Sequence, residues 1–206
     1  MELERAIRGR RSIRKYEERE VPREVLREVI DLALWAPSGM NRQEWEIVVV
    51  QGTMRDRLLE VVSRSQDHIM PHLQELFSEK IIKISLQVFK NLGGAPTVMA
   101  VYIPESRREI DAATDAKGRY HQEFDRFNRL LSAAALIENL LLAAYEKGLG
   151  TCWMTGPKYM EEEINALLGM EGRELVSLIP IGYPDQSPPA PPRKKDVVRW
   201  IGSQSS

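Results

Sequence analysis

The chain has 206 residues, of which 43% are hydrophobic, and its 29 basic and 30 acidic residues give a formal net charge of -1. This length and composition predict one compact domain with a substantial core. A near-neutral chain lacks the broad positive field of a general nucleic-acid-binding protein. The single cysteine, Cys152, excludes an intrachain disulfide and argues against a thiolate metal site.

The histidines and the apolar runs exclude two further classes of protein. His68 and His72 are four residues apart, but Pro71 lies between them and is expected to disturb a helix there. No acidic or thiolate partner is evident, so we predict no metal. Without an 18-residue apolar run or an apolar signal-peptide core, we expect no transmembrane helix and a cytoplasmic location.

The first half of the chain opens on a basic run and then alternates helices and strands. Five of the eight residues in 8–15 are basic. Residues 22–36 predict an amphipathic helix, because Pro22 suits a helix start and apolar residues follow with helical spacing. The next predicted elements are a turn at 37–41, a buried strand at 45–51, a helix from 53 to 66, a helix at 72–92 and a buried strand at 95–104.

The second half of the chain is dominated by one very apolar helix. Residues 127–147 are rich in alanine, which permits close packing, and the sequence GLG at 148–150 ends the helix. The charged stretch 105–128 before it predicts a variable excursion. The last predicted elements are a short strand and turn at 151–157, a helix at 158–170, a strand at 174–184 and an extended proline-rich arm at 185–206, with a final short strand or arm at 196–201.

This order of elements predicts an α+β fold. Helices and strands alternate too loosely for a regular doubly wound sheet. No G-x-G-x-x-G follows a strand, and no G-x-x-x-x-G-K-[ST] is present, so neither a Rossmann dinucleotide site nor a P-loop is expected.

Three separate segments carry residues suited to a ligand, and each has a simpler explanation when taken alone. In RRSIRKY (10–16) the arginines offer bidentate donors to phosphate, although a solvated basic face also explains them. APSGMNRQEW (36–45) is a polar, tightly turning loop or an ordinary helix-to-strand turn. GLGTCWMTGP (148–157) lets the backbone approach a ligand at Gly156, or is simply a core strand.

Together, the order and spacing of these segments resemble the nitroreductase family of FMN-dependent NAD(P)H oxidoreductases. The resemblance runs through RRSIRKY, APSGMNRQEW, ENLLLAAYEKGLGTCWMTG, IPIGYP and PPRKK, and so covers nearly the whole chain. It implies a nitroreductase-like fold, with a central mixed β-sheet surrounded by helices. It also implies an intertwined homodimer that holds FMN non-covalently at two interface sites.

The same resemblance assigns the candidate FMN-binding residues, with no metal and no side-chain catalyst. Arg10 and Ser12 would serve the phosphate and ribityl end, and Arg14 the pyrimidine edge, where it would stabilise charge on the reduced flavin. The complete set is Arg10, Arg11, Ser12 and Arg14 in the first segment, Pro37, Ser38 and Asn41 on a loop that reaches the FMN of the other subunit, Asn91 near the ring, Met154, Thr155 and Gly156 facing N5, and Arg193 with Lys194 at the phosphate.

The chain departs from the family pattern at several positions. Glu44 and Ser132 stand where proline and aspartate are common, and Thr155 stands where some members have an acid. Pro191 replaces a frequent basic residue, which places more weight on Arg10 and Arg193 as phosphate ligands.

The resemblance implies a ping-pong transfer of hydride from NADH or NADPH, through FMN, to a nitroaromatic, quinone or flavin-type acceptor. Tyr120, Phe124 and Phe127 are either a lid over that acceptor or packing beneath a surface helix. Cys152 is expected to be a buried structural residue.

Two alternatives remain. One keeps the fold and FMN but changes the reaction to dehalogenation, dehydrogenation of a specialised substrate or breakdown of the flavin. The other, more remote, is a protein whose basic N-terminal arm binds nucleic acid.

Overall fold

A computed structural model describes residues 2–76, 79, 82, 90–105 and 115–202. The helices are α1 (Leu3–Gly9), α2 (Arg23–Ala33), α3 (Gly52–Ser63), α4 (Ser65–Leu76), α5 (Ala116–Glu146) and α6 (Glu161–Leu168). The strands are β1 (Glu46–Gln51), β2 (Thr97–Pro104), β3 (Gly150–Thr151) and β4 (Arg173–Gly182). Short 3₁₀ turns occupy Gly39–Asn41, Leu92–Gly94 and Gly156–Met160.

The four strands form one sheet in the order β1-β2-β4-β3, and every pair of neighbours is antiparallel. Val48 pairs with Ala100, and Met99 pairs with Ile179. The prediction of a mixed sheet is therefore wrong for the described strands. Parallel pairing occurs among the described residues only at an isolated bridge between Ser12 and Thr151. The α+β class is confirmed.

The core lies on both faces of the sheet. Seven of the eight residues of β2 are buried, as its uninterrupted apolar sequence predicts for a central strand. Successive side chains point to opposite faces. Met99, Val101 and Ile103 pack with α2 and α5, whereas the alternate residues Val98, Ala100 and Tyr102 pack with α3 and α6.

The long helix α5 begins earlier than the sequence predicts. The Asp115 side chain caps it by accepting the Gly118 N–H at 2.7 Å, and helix then continues from Ala116 to Glu146. The predicted excursion is therefore wrong from residue 116 to 128, while residues 106–114 lie outside the described part. Tyr120, Phe124 and Phe127 are exposed along this helix rather than packed beneath another one.

By length and composition, α5 is the one helix among the described residues that could cross a membrane. The same features suit the core helix of a folded domain, and seven of its residues are buried. They are Ala133, Leu136, Ile137, Leu140, Leu141, Ala143 and Ala144.

Four other predictions need correction or lie partly outside the described residues. Helix α4 runs through Pro71, so the proline does not break it. Most of the helix predicted at 72–92 falls outside the described residues. The helix predicted at 158–170 divides into a 3₁₀ turn and α6. Of the two alternatives for residues 196–201, the structure shows an exposed arm and no strand there.

Candidate functional site

The segment from Arg10 to Tyr16 is held extended along one edge of the sheet. The Ile13 N–H donates to the Thr151 carbonyl at 2.8 Å, and the Tyr16 N–H donates to the Gly93 carbonyl at 3.0 Å. Ile13 is buried, and because side chains alternate along extended backbone, Ser12 and Arg14 point to the side opposite Ile13. The backbone that presents the basic residues is therefore held by β3 at one point and by the 3₁₀ turn Leu92–Gly94 at another.

Two glycines make room for this segment. A Cβ atom on Gly150 would lie 2.7 Å from the Ile13 side chain. A Cβ atom on Gly93, whose φ is +69°, would lie 2.4 Å from the Arg14 carbonyl oxygen. Larger residues at either position would push the segment out of place.

The hydroxyl group of Tyr16 helps to hold the segment in place. Its hydroxyl lies 2.7 Å from the Ile13 carbonyl and 3.2 Å from the Pro180 carbonyl. Burial raises the pKa of Tyr16 well above its usual value, so the hydroxyl stays protonated and available as a donor. The neighbouring Cys152 is buried, as predicted, and burial also raises its thiol pKa.

Both ends of the chain contribute to a basic cavity of about 490 Å³. Among the described residues its lining consists of Arg10, Arg11, Ser12, Arg14, Pro188, Pro189, Pro191 and Arg193. An adjoining cavity shares Arg10, Arg11, Pro191 and Arg193 and is also lined by Glu4 and Glu138. The Nε atom of Arg10 is buried and has no hydrogen-bond partner among the described residues. Its nearest carboxylate, on Glu138, is 3.6 Å away, beyond hydrogen-bonding distance. Four guanidinium groups, one of which has an unsatisfied buried Nε, and a hydroxyl fit a phosphate group.

The arginines of this basic cavity differ in their internal bonds. Arg11 donates from one nitrogen to the carbonyls of Arg8 and Arg10, each at 2.7 Å, which places positive charge at the C-terminal end of α1. Arg14 donates to the Ser12 carbonyl at 3.3 Å. Arg11 therefore has a structural role in addition to any role in binding.

Neither Asn91 nor Lys194 is among the described residues that line the basic cavity. The Asn91 side chain accepts the Gly93 N–H at 3.0 Å, and so shapes the turn that contacts the Arg14 backbone. Lys194 is exposed and does not line the basic cavity.

The turn at 154–156 follows the edge strand β3. Met154 is buried, and its N–H and carbonyl exchange two hydrogen bonds of 3.0 Å with Leu178. The Met154 amide is therefore occupied within the sheet. Thr155 is exposed, and Gly156 begins the following 3₁₀ turn.

The loop at 37–43 is strained and lies on another surface. Met40, Asn41 and Gln43 have positive φ angles of 53°, 56° and 48°, although none is glycine. The Ser38 hydroxyl accepts the Gln43 N–H at 3.1 Å, which helps to hold this shape. Strained backbone of this kind persists only where surrounding bonds impose it, and it often marks a functional segment.

This loop lines a cavity of about 300 Å³ against α5, which shares no residue with the basic cavity. Ser38 lies in its lining, whereas Arg10, Ser12, Arg14 and Arg193 line the other cavity. A single chain thus brings together the N-terminal and C-terminal candidate residues, but it does not bring the loop to them.

Comparison with known proteins places the chain in a family. The model of the nitroreductase family matches residues 7–183. The chain belongs to the nitroreductase family. Nitroreductase NfnB of Mycolicibacterium smegmatis is 29% identical over 213 residues, with 89% of this chain and 83% of that protein covered.

Two solved structures of nitroreductase-like fold extend the comparison. A BluB-like flavoprotein from Clostridium difficile 630 has a TM-score of 0.74 and 27% identity, with 98% of this chain and 99% of that chain covered. Oxidized iodotyrosine deiodinase bound to FMN and 3-iodo-L-tyrosine has a TM-score of 0.72 and 25% identity, with 97% and 99% covered. The predicted family and fold are therefore confirmed, while the relatives differ in their reactions.

Two departures from the family pattern have a structural explanation in the loop. Glu44 Oε1 accepts hydrogen bonds from Arg42 at 2.9 Å and from Arg129 on α5 at 3.2 Å. Ser132 on α5 accepts the Gly39 N–H at 3.3 Å. In this nitroreductase family member, these two residues tie the loop to α5.

Sequence reasoning missed a group of charged residues next to the 154–156 turn. Glu174 is buried at the start of β4, where Arg126 and Lys158 contact it. These residues are 48 and 16 positions away from Glu174, so no local pattern reveals them. The only sequence signal is an acidic residue next to the apolar run of β4.

Proposed function

We propose that this chain is an FMN-dependent oxidoreductase that uses NADH or NADPH to reduce a nitroaromatic, quinone or flavin-type acceptor in a ping-pong cycle. The observation that carries the proposal is the basic cavity, whose lining holds four arginines and one serine. Family membership supplies the oxidoreductase class, and the cavity supplies the anion site that a flavin phosphate requires.

Different residues of one chain bind different parts of the FMN molecule. Arg10, with its unsatisfied Nε, Ser12 and Arg193 bind the phosphate and ribityl end. Arg14 serves the pyrimidine edge. Thr155 or Gly156 offers a backbone N–H to N5. The remaining assigned residues are Arg11 and Lys194 as outer positive charge and Asn91 near the ring, with the Met154 backbone fixing the turn.

When bound, FMN supplies hydride transfer between nicotinamide and acceptor. The protein's part is to fix donors in place before the reaction. The guanidinium of Arg14 stabilises negative charge through its own positive charge and its N–H donors, without a proton-transfer step. No acid, base or nucleophile among the side chains is required by this scheme.

We also propose that the working protein is a homodimer of one-domain subunits (1–206) whose C-terminal arm (185–206) embraces the partner. The arm exposes Val197, Val198, Trp200 and Ile201 by 67% or more, which is costly for a lone chain in water. Pro37, Ser38 and Asn41 then complete the FMN site of the other subunit. A cytoplasmic location, with small-molecule substrates and neither membrane nor nucleic-acid partners, fits this assignment.

A second candidate reaction is reductive dehalogenation of an aromatic substrate on the same FMN. The observation that favours it is the 25% identity to iodotyrosine deiodinase over 97% of this chain. Steady-state assays with nitroaromatic, quinone and iodotyrosine acceptors separate the candidates. Turnover of iodotyrosine without turnover of the other acceptors would select dehalogenation.

The direct test of the proposed function is the visible spectrum of the purified protein. A flavin band that bleaches on anaerobic addition of NADH or NADPH, and returns on addition of acceptor, is the expected result. A colourless protein that fails to bind added FMN would refute the proposal.

A further inference from the structure

A buried ionic cluster lies directly behind the 154–156 turn. Glu174 is only 4% exposed, and Arg126 of α5 donates to its two carboxylate oxygens at 2.8 and 2.5 Å. Lys158 approaches the same carboxylate at 3.1 Å. Burial raises the pKa of Glu174, but the hydrogen bonds from Arg126 and Lys158 outweigh burial and hold the pKa below its ordinary value. The carboxylate therefore remains ionised.

Lys158 connects this cluster to the backbone. Its ammonium group contacts the carboxylates of Glu174 and Glu161, each at 3.1 Å, and the Leu175 carbonyl at 2.8 Å. These three acceptors match the three N–H bonds of an ammonium group. Glu161 also accepts the Leu175 N–H at 2.6 Å. The 3₁₀ turn Gly156–Met160 is thus attached to the start of β4 by directional bonds.

Thr155 and Gly156, which face FMN in the proposed site, lie between two points at which hydrogen bonds hold the backbone. On one side, Met154 exchanges two backbone hydrogen bonds with Leu178. On the other side, Lys158 is held by the cluster, and its N–H donates to the Thr155 carbonyl at 3.0 Å. Thr155 and Gly156 lie between these points, so their orientation follows from both. Hydrogen bonds fix orientation more narrowly than apolar packing does, because they depend on angle as well as distance.

We propose that Lys158, Glu174 and Arg126 are positioning residues that set the backbone amides of Thr155 and Gly156 against FMN. This inference rests on the proposed function, because it takes FMN to be the ligand of the turn. None of the three touches the reacting atoms in this account. They act through the 3₁₀ turn that Lys158 anchors.

The first experiment measures the turn itself in the protein without FMN. Hydrogen exchange of residues 154–160 is compared in the wild type and in Lys158→Met. Loss of the anchor is expected to speed exchange in this segment about tenfold or more, because the local opening becomes easier. Glu163→Gln is the matched control, since Glu163 also loses a charge but pairs with Arg64, which lies between α3 and α4, rather than with Lys158 or Arg126. Unchanged exchange in Lys158→Met would overturn the proposal.

The second experiment measures the bound flavin. Lys158→Met and Glu174→Gln change the local charge in opposite directions. If the cluster positions the turn, both variants slow flavin reduction at saturating NAD(P)H about tenfold. Both keep the FMN dissociation constant within about threefold of the wild-type value. Both also shift the FMN midpoint potential in the same direction. If the cluster acts only through its electric field, the two variants shift the midpoint potential in opposite directions, which would overturn the proposal.

A conservative variant keeps the test decisive if Glu174→Gln does not fold. Lys158→Arg retains the charge and is expected to recover most of the reduction rate lost in Lys158→Met. If Lys158→Arg and Lys158→Met lose the same reduction rate and both exchange faster at 154–160, the requirement is for the position of the lysine ammonium group, and the proposal stands. If both lose the rate but exchange at 154–160 is unchanged, the proposal is overturned. A wild-type protein that binds no FMN would instead refute the proposed function, whatever the exchange result.

Discussion

The basic cavity and the 37–43 loop differ in how far one chain completes them. The cavity is built from both ends of the chain, and its backbone is fixed by hydrogen bonds and by close contacts at two glycines. The loop is equally well held, but it lines a separate cavity and exposes Met40 by 97%. One chain therefore assembles the basic cavity, but it does not assemble a cavity that also contains the loop. This difference is the reason for proposing FMN sites that are shared between two subunits.

The largest effect is expected from Arg10→Ala in the basic cavity. Loss of charge-assisted bonds worth about 1.5–3 kcal/mol should weaken FMN binding about 10- to 100-fold. Titration followed by flavin fluorescence measures the change. Lys15→Ala is the control, because Lys15 pairs with Asp185 and does not line the cavity. Equal losses in the two variants would mean that net charge, rather than the cavity, binds FMN.

A smaller effect is expected from Gly93→Ala, which tests the rigidity of the basic segment. Its Cβ would clash with the Arg14 carbonyl at a residue with positive φ, at a cost of about 1–3 kcal/mol. Urea unfolding should show this loss, with weaker FMN binding alongside it. Gly39→Ala in the other region has no atom within 4 Å of its added Cβ and should change neither quantity strongly.

Ser132→Ala tests the loop in the same way, with a milder expected result. Removing the acceptor of the Gly39 N–H costs about 0.5–1.5 kcal/mol of loop order. FMN binding should weaken severalfold, with the thermal midpoint nearly unchanged. Ser63→Ala is the control, since the Ser63 hydroxyl donates to the Glu60 carbonyl of its own helix at 2.9 Å. If Ser63→Ala weakens FMN binding as much as Ser132→Ala does, the loop is not part of the FMN site.

The smallest effect concerns acid stability. Because the pKa of Glu174 is lowered in the folded protein, its stabilising contribution is complete above the ordinary pKa of 4.5 and is lost as the pH falls through the folded value. The unfolding free energy of the wild type should therefore fall with decreasing pH below about 4.5. Glu174→Gln should show a shallower fall than Glu163→Gln. Parallel curves would contradict this assignment.

Sequence reasoning predicted elements whose signals are local. The apolar runs at 45–51, 95–104 and 174–184 correspond to β1, β2 and β4, because buried strands need continuous apolar sequence. It missed the first turns of α5, although Tyr120, Phe124 and Phe127 have helical spacing, because the surrounding charges resembled a loop. It was also wrong about Pro71, since flanking residues hold α4 together despite the missing N–H.

The candidate site shows the same limit. Arg10, Ser12, Arg14 and Arg193 could be assigned from motifs, and the fold brings them to one cavity. The internal bonds of Arg11 and the occupied amide of Met154 depend on three-dimensional contacts that no motif encodes. The cluster around Glu174 joins residues from α5, the 3₁₀ turn and β4, so only the folded chain reveals it.

The most direct test of the account is subunit complementation. Arg10→Ala damages the basic cavity, and Asn41→Pro damages the loop because proline cannot adopt the φ of 56° found there. Differently tagged subunits carrying one change each are co-expressed, and the mixed dimer is purified and titrated with FMN. Shared sites predict about one intact site per mixed dimer, at an FMN concentration that leaves both variant homodimers largely empty. A mixed dimer as empty as the homodimers would contradict the account, because it would place cavity and loop in the same subunit's site.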